Sequence, residues 1–129
     1  MIVLDTHAWL FWVNDNIEEF TPKGLERIEN ENTLGVSAIS CWEIAMLVAK
    51  DRLHLSVDIE EWIRLALKYP GVKPLPLEPE IAILATRLPG AFHKDPADRI
   101  IAATCLFHHT TLVSKDRQIH DWGHIPVTW

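Results

Sequence analysis

The chain has 129 residues, the size of one domain, and we expect a single domain over residues 1–129. Hydrophobic residues make up 48% of the chain and charged residues 23%, a mix that excludes a disordered, collagen-like or coiled-coil protein. The net charge of −6 argues against a protein that binds nucleic acid through its overall charge.

The sequence predicts neither a membrane protein nor a secreted one. Its longest segment without an acidic or basic residue, Ile100–Ser114, has 15 residues, whereas a membrane span needs about 20. The first basic residue is Lys23, so the basic segment of a signal peptide is missing. Cys41 and Cys105 form neither a disulfide framework nor a zinc motif. We therefore expect a cytoplasmic protein with no membrane partner.

Short apolar segments alternate with helical patterns along the chain, and together they predict the fold class. The first half predicts a strand at Met1–Leu4, a helix at His7–Val13, a helix capped by Thr21 that runs to about Asn30, a strand at Leu34–Ile39, and a helix capped by Ser40 that runs through Lys50. The second half predicts a helix opened by Asp58, an extended segment at Val72–Leu77, helices at Glu80–Leu88 and from Asp95-Pro96, a strand at Thr111–Ser114, a helical turn at Arg117–Asp121 and a strand at Ile125–Trp129. This alternation predicts an α/β protein in which a parallel β-sheet is flanked by α-helices on both faces.

Four acidic side chains fall at one edge of the predicted sheet. Asp5 and Asp116 follow strands, while Glu43 and Asp98 lie three residues after the predicted caps of two helices. Ligand sites in open α/β sheets lie beyond the carboxyl ends of the strands, where these acids would meet. Four carboxylates in one pocket repel one another unless a cation compensates them, and hard cations such as Mg²⁺ or Mn²⁺ prefer oxygen ligands. The sequence thus predicts a metal site able to activate water against a phosphoryl group.

Each acid also has a purely structural interpretation. Glu43 could complete a capping box with Ser40, and Asp98 could interact with its helix dipole. Asp116 could cap the next turn or bend the chain. Asp5 could be a turn residue, although aspartate is uncommon in strands. A shared site explains all four positions together, whereas the structural interpretations must hold for each one separately.

The candidate site has further polar residues near it. Thr6 and Ser114 could hold a metal-bound water or a phosphate, or only cap the backbone. Residues 87–117 hold five bases and three acids, so this part of the acidic chain could meet a polyanion. Within it, Arg99 and Lys115 could bind phosphate or balance charge, and His93 could contact substrate.

The remaining histidines and the tryptophans suggest less. The histidines lack the spacing of a zinc hydrolase. The six tryptophans are mostly expected in the core, and Trp9 and Trp12, on the first helix, are candidates for a protein interface.

Four sequence blocks resemble the PIN-domain family, and more closely its VapC-type toxins. The blocks are M-I-V-L-D-T-H-A-W (1–9), S-A-I-S-C-W-E-I-A-M-L-V-A-K-D-R-L (37–53), H-K-D-P-A-D-R-I-I-A-A-T (93–104) and T-L-V-S-K-D (111–116). They occur in the family's order and place Asp5, Glu43, Asp98 and Asp116 at its four acidic positions. Many relatives have Thr where this chain has Ser114, which keeps the hydroxyl.

The resemblance implies an endoribonuclease that depends on Mg²⁺ or Mn²⁺ and cleaves RNA through these four acids. It also implies a small antitoxin protein as partner, and a homodimer. Three alternatives remain at this point: a PIN nuclease outside toxin systems, a non-catalytic binding domain, and a signalling receiver domain with an acidic Mg²⁺ pocket. The receiver would need adjacent acids after the first strand, where this chain has Asp5 followed by Thr6.

Overall fold

The computed structural model describes residues 1–129, which form five strands and seven α-helices. The strands are β1 (Ile2–Leu4), β2 (Leu34–Ser37), β3 (Val72–Leu75), β4 (Leu112–Val113) and β5 (Val127–Thr128). The helices are α1 (Thr6–Val13), α2 (Pro22–Glu29), α3 (Ala38–Ala49), α4 (Ile59–Leu67), α5 (Pro79–Leu84), α6 (Pro96–His108) and α7 (Arg117–Trp122). A short 3₁₀ turn at Ile17–Glu19 was not predicted. None of the helices combines the length and the apolar character needed to cross a bilayer.

The five strands form one fully parallel sheet in the order β3-β2-β1-β4-β5. β1 is therefore the central strand, and its residue Val3 pairs with Gly35 on one side and Leu112 on the other. β3, which contains Pro74, pairs only with β2 and lies at an edge, where a residue without an amide proton is tolerated. The predicted α/β fold class with a parallel sheet is confirmed.

Helices cover both faces of the sheet because side chains alternate along each strand. Ile2 and Leu4 pack with residues of α1, α2, α3 and α4 on one face. Val3 points the other way and packs with Ile101 of α6 and Ile119 of α7. α5 packs on the same side, through Ile81 against alanines of α6. This two-sided burial explains why the strands read as continuous apolar segments.

The start of α3 differs from the prediction. Ser37, not Ser40, is the N-cap: its hydroxyl accepts a hydrogen bond from the Ile39 amide at 3.2 Å, and β2 ends there. Ser40 lies inside the helix and is fully buried. Glu43 consequently lies in the second turn, so the predicted cap at Ser40 is wrong, and the alternative in which Glu43 completes a capping box with Ser40 is excluded.

Other segments are also shorter than expected. The strands predicted at Thr111–Ser114 and Ile125–Trp129 are only Leu112–Val113 and Val127–Thr128. The segment expected as extended at Val72–Leu77 is a strand only to Leu75. The helix expected at Glu80–Leu88 begins at Pro79 and ends at Leu84. The carbonyl of Ala85, just after the end of this helix, accepts a hydrogen bond from Arg99 Nε at 2.9 Å. This carbonyl therefore has a partner without a further turn of helix.

The end of the chain packs against the start of α2. The carbonyl oxygen of Trp129 accepts hydrogen bonds from the Thr21 hydroxyl at 2.6 Å and the Thr21 amide at 3.2 Å. A β-carbon built on Gly24 would lie 1.6 Å from that oxygen. Only glycine therefore allows this close approach.

The tryptophans divide between the core and the surface. Trp9 is fully buried and packs edge-on against Trp62, with ring centroids 5.2 Å apart. The idea that Trp9 forms a protein interface is therefore wrong, because burial leaves it no free surface. Trp42 on α3 is 55% exposed and is the tryptophan with the most apolar area open to a partner.

Candidate active site

Two strand ends provide the first two acids of the candidate site. Asp5 follows β1, and its amide donates to the carbonyl of Val113 at 3.0 Å, because β1 and β4 are neighbours. The Asp5 carboxylate also caps α1, accepting from the Ala8 amide at 2.8 Å. Asp116 follows β4 and caps α7 in the same way, accepting from the Gln118 amide at 2.8 Å. Asp116 thus has the capping role considered above, Asp5 is a helix cap instead of a turn residue, and both also lie at the predicted edge.

Two helices provide the other acids. Glu43 extends from the second turn of α3, and Asp98 from the first turn of α6. The Asp98 amide donates to Asp95 Oδ1 at 3.0 Å, so Asp95 is the N-cap of α6, as predicted. All four predicted acids line one open pocket of about 530 Å³, together with Thr6, His7, Phe11, Asp95 and Lys115.

Negative charge and burial raise the proton affinity of this pocket. Burial raises the pKa of Asp5. Burial also raises the pKa of Glu43, and the charge of Asp95 adds to this effect. The pKa of Asp98 rises to about 7, first because of burial and then because of the neighbouring carboxylates of Asp95 and Glu43. Without a compensating cation, the pocket therefore retains protons that isolated carboxylates would lose.

Hydroxyl groups hold two of these carboxylates in place. The Thr6 hydroxyl donates to Glu43 Oε1 and lies 2.9 Å from the hydroxyl of Ser40. Ser114 is fully buried; its hydroxyl accepts from the Asp116 amide at 3.1 Å, and a hydrogen bond from its side chain lowers the pKa of Asp5 in opposition to burial. Thr6 and Ser114 are thus in contact with the site acids, and these contacts orient the carboxylates.

Arg99 and His93, two further predicted residues, occupy very different positions. The Arg99 guanidinium does not line the pocket: it donates to the carbonyls of Ala85, Phe92 and His93. His93 Nε2 lies 3.4 Å from Asp98 Oδ2 and 4.0 Å from Asp116 Oδ2. The structure therefore brings His93 to the acids and turns Arg99 toward the backbone.

Positive charge at the pocket is confined to its rim. Lys115 is the one basic side chain among the pocket residues besides His7, and its Nζ lies 3.8 Å from Glu19 Oε2. Its side chain is 65% exposed, so it remains free to reach an anion. Five carboxylates against one lysine leave the pocket strongly negative.

Sequence reasoning missed four residues that contribute to the site. Asp95 was assigned only to a helix cap, yet its carboxylate also lines the pocket. His7 and Phe11 lie one turn apart on α1, with ring centroids 6.2 Å apart, and form part of the pocket wall. The available signal was their spacing of four residues on the helix that directly follows Asp5. Ser40 gave no separate signal, because its contact with Thr6 spans 34 residues.

The residues present fit a divalent cation. Ligand atoms of His93, Asp98 and Asp116 all lie within 4.8 Å of one another. Carboxylates from four separate elements are a donor set that suits Mg²⁺ or Mn²⁺. The rise in the pKa of Asp98 to about 7 is the expected behaviour of such a site when no cation compensates it.

Fold and site together define a class of protein. The PIN domain family model matches residues 2–124, and the chain belongs to this family. Among its curated relatives is Ribonuclease VapC22 of Mycobacterium tuberculosis, which is 33% identical over 128 residues, covering 98% of this chain and 96% of the relative. The predicted family resemblance is confirmed, and with it the receiver domain is excluded.

Solved structures share the fold. A toxin–antitoxin complex from Klebsiella pneumoniae contains a chain that aligns with a TM-score of 0.66 at 17% identity, covering 100% of this chain and 97% of that one. VapBC2 from Rickettsia felis, bound to a DNA fragment from its promoter, aligns with a TM-score of 0.66 at 15% identity, covering 98% and 97%. Because the sequence identities are below 20%, these two alignments show a shared fold and nothing more.

Proposed function

We propose that the chain is a divalent-metal-dependent endoribonuclease and the toxin of a toxin–antitoxin pair. The observation that carries this proposal is the convergence of Asp5, Glu43, Asp98 and Asp116, from four different elements, on one open pocket. An RNA substrate is supported by the 33% identity to a relative named as a ribonuclease over nearly its whole length.

The four acids would hold the metal ion. A bound Mg²⁺ or Mn²⁺ supplies the charge that polarises a phosphoryl group and lowers the pKa of a water molecule. Hydrolysis then adds the water oxygen to phosphorus and breaks one ester P–O bond; the water loses one proton, and the leaving oxygen gains one. In this scheme Thr6 and Ser114 keep the carboxylates of Glu43 and Asp5 oriented for binding.

Exposed bases next to the site would bind the RNA backbone. Lys94, Lys115 and Arg117 are exposed, and each adjoins a candidate site residue in sequence. A long polyanion can contact these side chains while its scissile phosphate enters the negative pocket. His7 and Phe11 on the pocket wall offer ring surfaces on which an RNA base can stack. Arg99 is unavailable for this role because its guanidinium is occupied by backbone carbonyls.

The proposed partners are an antitoxin and a second copy of the chain in the cytoplasm. The toxin role is supported by the VapC relative and by solved toxin–antitoxin complexes that share the fold. A homodimer would be detected by light scattering of the purified chain during size-exclusion chromatography. A monomer at every concentration tested would contradict that part of the proposal.

The test of the activity is cleavage of total cellular RNA by the purified chain, with EDTA, Mg²⁺ or Mn²⁺ added. We expect discrete fragments in both metal arms, none with EDTA, and none from Asp98→Asn. Asp15→Asn is the matched control, since it makes the same change at an exposed residue outside the pocket whose positive φ of 60° asparagine also accepts.

Sequencing the fragment ends would identify the RNA and the position of the cut. Cleavage that persists with EDTA or in Asp98→Asn would contradict the proposed chemistry. A folded protein that binds metal but cleaves no RNA from the source organism would favour the non-catalytic alternative.

A further inference from the structure

His93 places a nitrogen donor beside two carboxylates of the acidic pocket, Asp98 and Asp116. We infer that it is a direct ligand of the divalent ion, which makes the site selective for Mn²⁺ over Mg²⁺. This inference rests on the proposed function, because it concerns the same ion.

The first argument is the state of the ring nitrogen. His93 Nε2 is shielded from solvent and has no hydrogen-bond partner, although a buried polar atom normally has one. Asp98 Oδ2 lies 3.4 Å away, but the two groups are not aligned for a hydrogen bond. A metal ion bound between them would satisfy both the nitrogen and the oxygen.

The second argument is the spacing of the donors. Nε2 of His93 lies 3.4 Å from Asp98 Oδ2 and 4.0 Å from Asp116 Oδ2. All three ligand atoms fall within 4.8 Å of one another, so one ion can contact all of them without a change of backbone. Asp98 comes from α6 and Asp116 follows β4, and α6 packs on the face of the sheet to which Leu112 of β4 contributes.

The third argument is that the segment before α6 holds the ring in this position. The His93 ring stacks on Phe92, with centroids 4.6 Å apart, and Phe92 in turn packs edge-on against Trp122. Arg99 donates to the carbonyls of both Phe92 and His93, at 3.2 and 3.3 Å. Because Arg99 directly follows Asp98 on α6, it is a positioning residue that fixes the histidine relative to that carboxylate.

The choice of a nitrogen donor has a chemical consequence. Mg²⁺ binds oxygen ligands and water almost exclusively, whereas imidazole is a ligand for transition-metal ions. Coordination by the His93 imidazole therefore favours binding of Mn²⁺, a transition-metal ion, over binding of Mg²⁺. The ratio of Mn²⁺ affinity to Mg²⁺ affinity should be higher than it would be for a site made of these carboxylates alone.

The test uses the full chain with the metal alone, so no RNA cleavage is needed. Pulsed electron paramagnetic resonance of the Mn²⁺-loaded wild type should show coupling to a directly bonded ¹⁴N. That coupling should disappear in His93→Gln and persist in His7→Gln, the matched control at a histidine that lines the acidic pocket but is not part of the cluster of His93, Asp98 and Asp116.

Calorimetric titration gives the second readout. We expect His93→Gln to weaken Mn²⁺ binding about tenfold and Mg²⁺ binding much less, whereas His7→Gln leaves the ratio of the two affinities unchanged. Mn²⁺ binding without ¹⁴N coupling in the wild type would overturn the inference alone. A wild type that binds neither ion would overturn the inference and the proposed metal dependence together. Metal binding with nitrogen coupling but no RNA cleavage would contradict only the nuclease proposal.

Discussion

Asp98 is the single residue whose charge is most strongly opposed by its surroundings. Burial and four other carboxylates raise its pKa from 3.8 to about 7. The neutral isostere in Asp98→Asn removes this repulsion but also removes a proposed metal ligand. We therefore expect the variant to lose RNA cleavage while its metal-free form is as stable as the wild type or more stable, as measured by thermal melting in EDTA. A large loss of stability in EDTA would contradict the repulsion argument.

The same carboxylate predicts how stability depends on pH. In the metal-free protein the folded chain keeps the Asp98 proton up to about pH 7, whereas the unfolded chain loses it near pH 4. The folded state binds more protons between these values, so its stability falls as the pH rises from 4 to 7. After allowance for solvent screening, the loss from this group is about 2 kcal/mol.

Denaturant titrations in EDTA at several pH values would measure that loss. The wild type should become less stable across this range, and Asp98→Asn should show a smaller decrease. The burial of Asp5 and Glu43 raises the pKa of each, which acts in the same direction and leaves part of the pH dependence in the variant. Identical slopes in the two proteins would mean that Asp98 does not titrate in this window.

Single residues of the site were predictable to different degrees. Asp5 and Asp116 could be placed because each follows an apolar strand, and parallel strands end at one edge. The orientation of Arg99 could not be predicted, since its carbonyl partners depend on how the segment before α6 folds back. The short distance between His93 and Asp98 could not be predicted either, because it depends on the same folding back of the segment before α6.

At the scale of elements, the order and type of strands and helices were predictable, and some of their ends were not. Ser37 and Ser40 are both good capping residues, and the sequence pattern alone does not choose between them. The contact between Ser40 and Thr6, 34 residues earlier, is satisfied only when α3 begins at Ala38. Tertiary packing therefore decides where this helix begins, and with it the turn on which Glu43 lies.

The start of α2 gives a prediction at this scale. Replacing glycine by alanine inside a helix normally stabilises it by about 1 kcal/mol. In Gly24→Ala the new methyl group would meet the Trp129 carbonyl oxygen, so the end of the chain must move and lose its hydrogen bonds to Thr21. We expect a net destabilisation of about 2 kcal/mol in denaturant titrations.

The control for Gly24→Ala is Glu26→Ala, an alanine substitution at an exposed position of the same helix. It should change stability by less than about 0.5 kcal/mol. If both variants were equally stable, the close approach of Trp129 to α2 would contribute nothing measurable to the free energy of unfolding.

For the whole molecule, metal binding and folding should be linked. An ion that binds only the folded chain stabilises it by about 2.7 kcal/mol at a hundredfold excess over its Kd. We expect Mg²⁺ to raise the Tm of the wild type by several degrees, and to raise that of Asp98→Asn far less. Differential scanning calorimetry at matched ionic strength would measure both shifts. Equal shifts would place the bound metal outside this pocket.

The central position of β1 sets the order in which a newly made chain can acquire its site. Asp5 leaves the ribosome early, but β1 obtains its second neighbour only after Leu112 and Val113 of β4 have been synthesised. Asp116 comes later still, so a chain that ends before this residue lacks part of the pocket. Under the proposed function, the nuclease would thus become active only when its translation is nearly finished, and fragments that end before Asp116 would not cleave RNA.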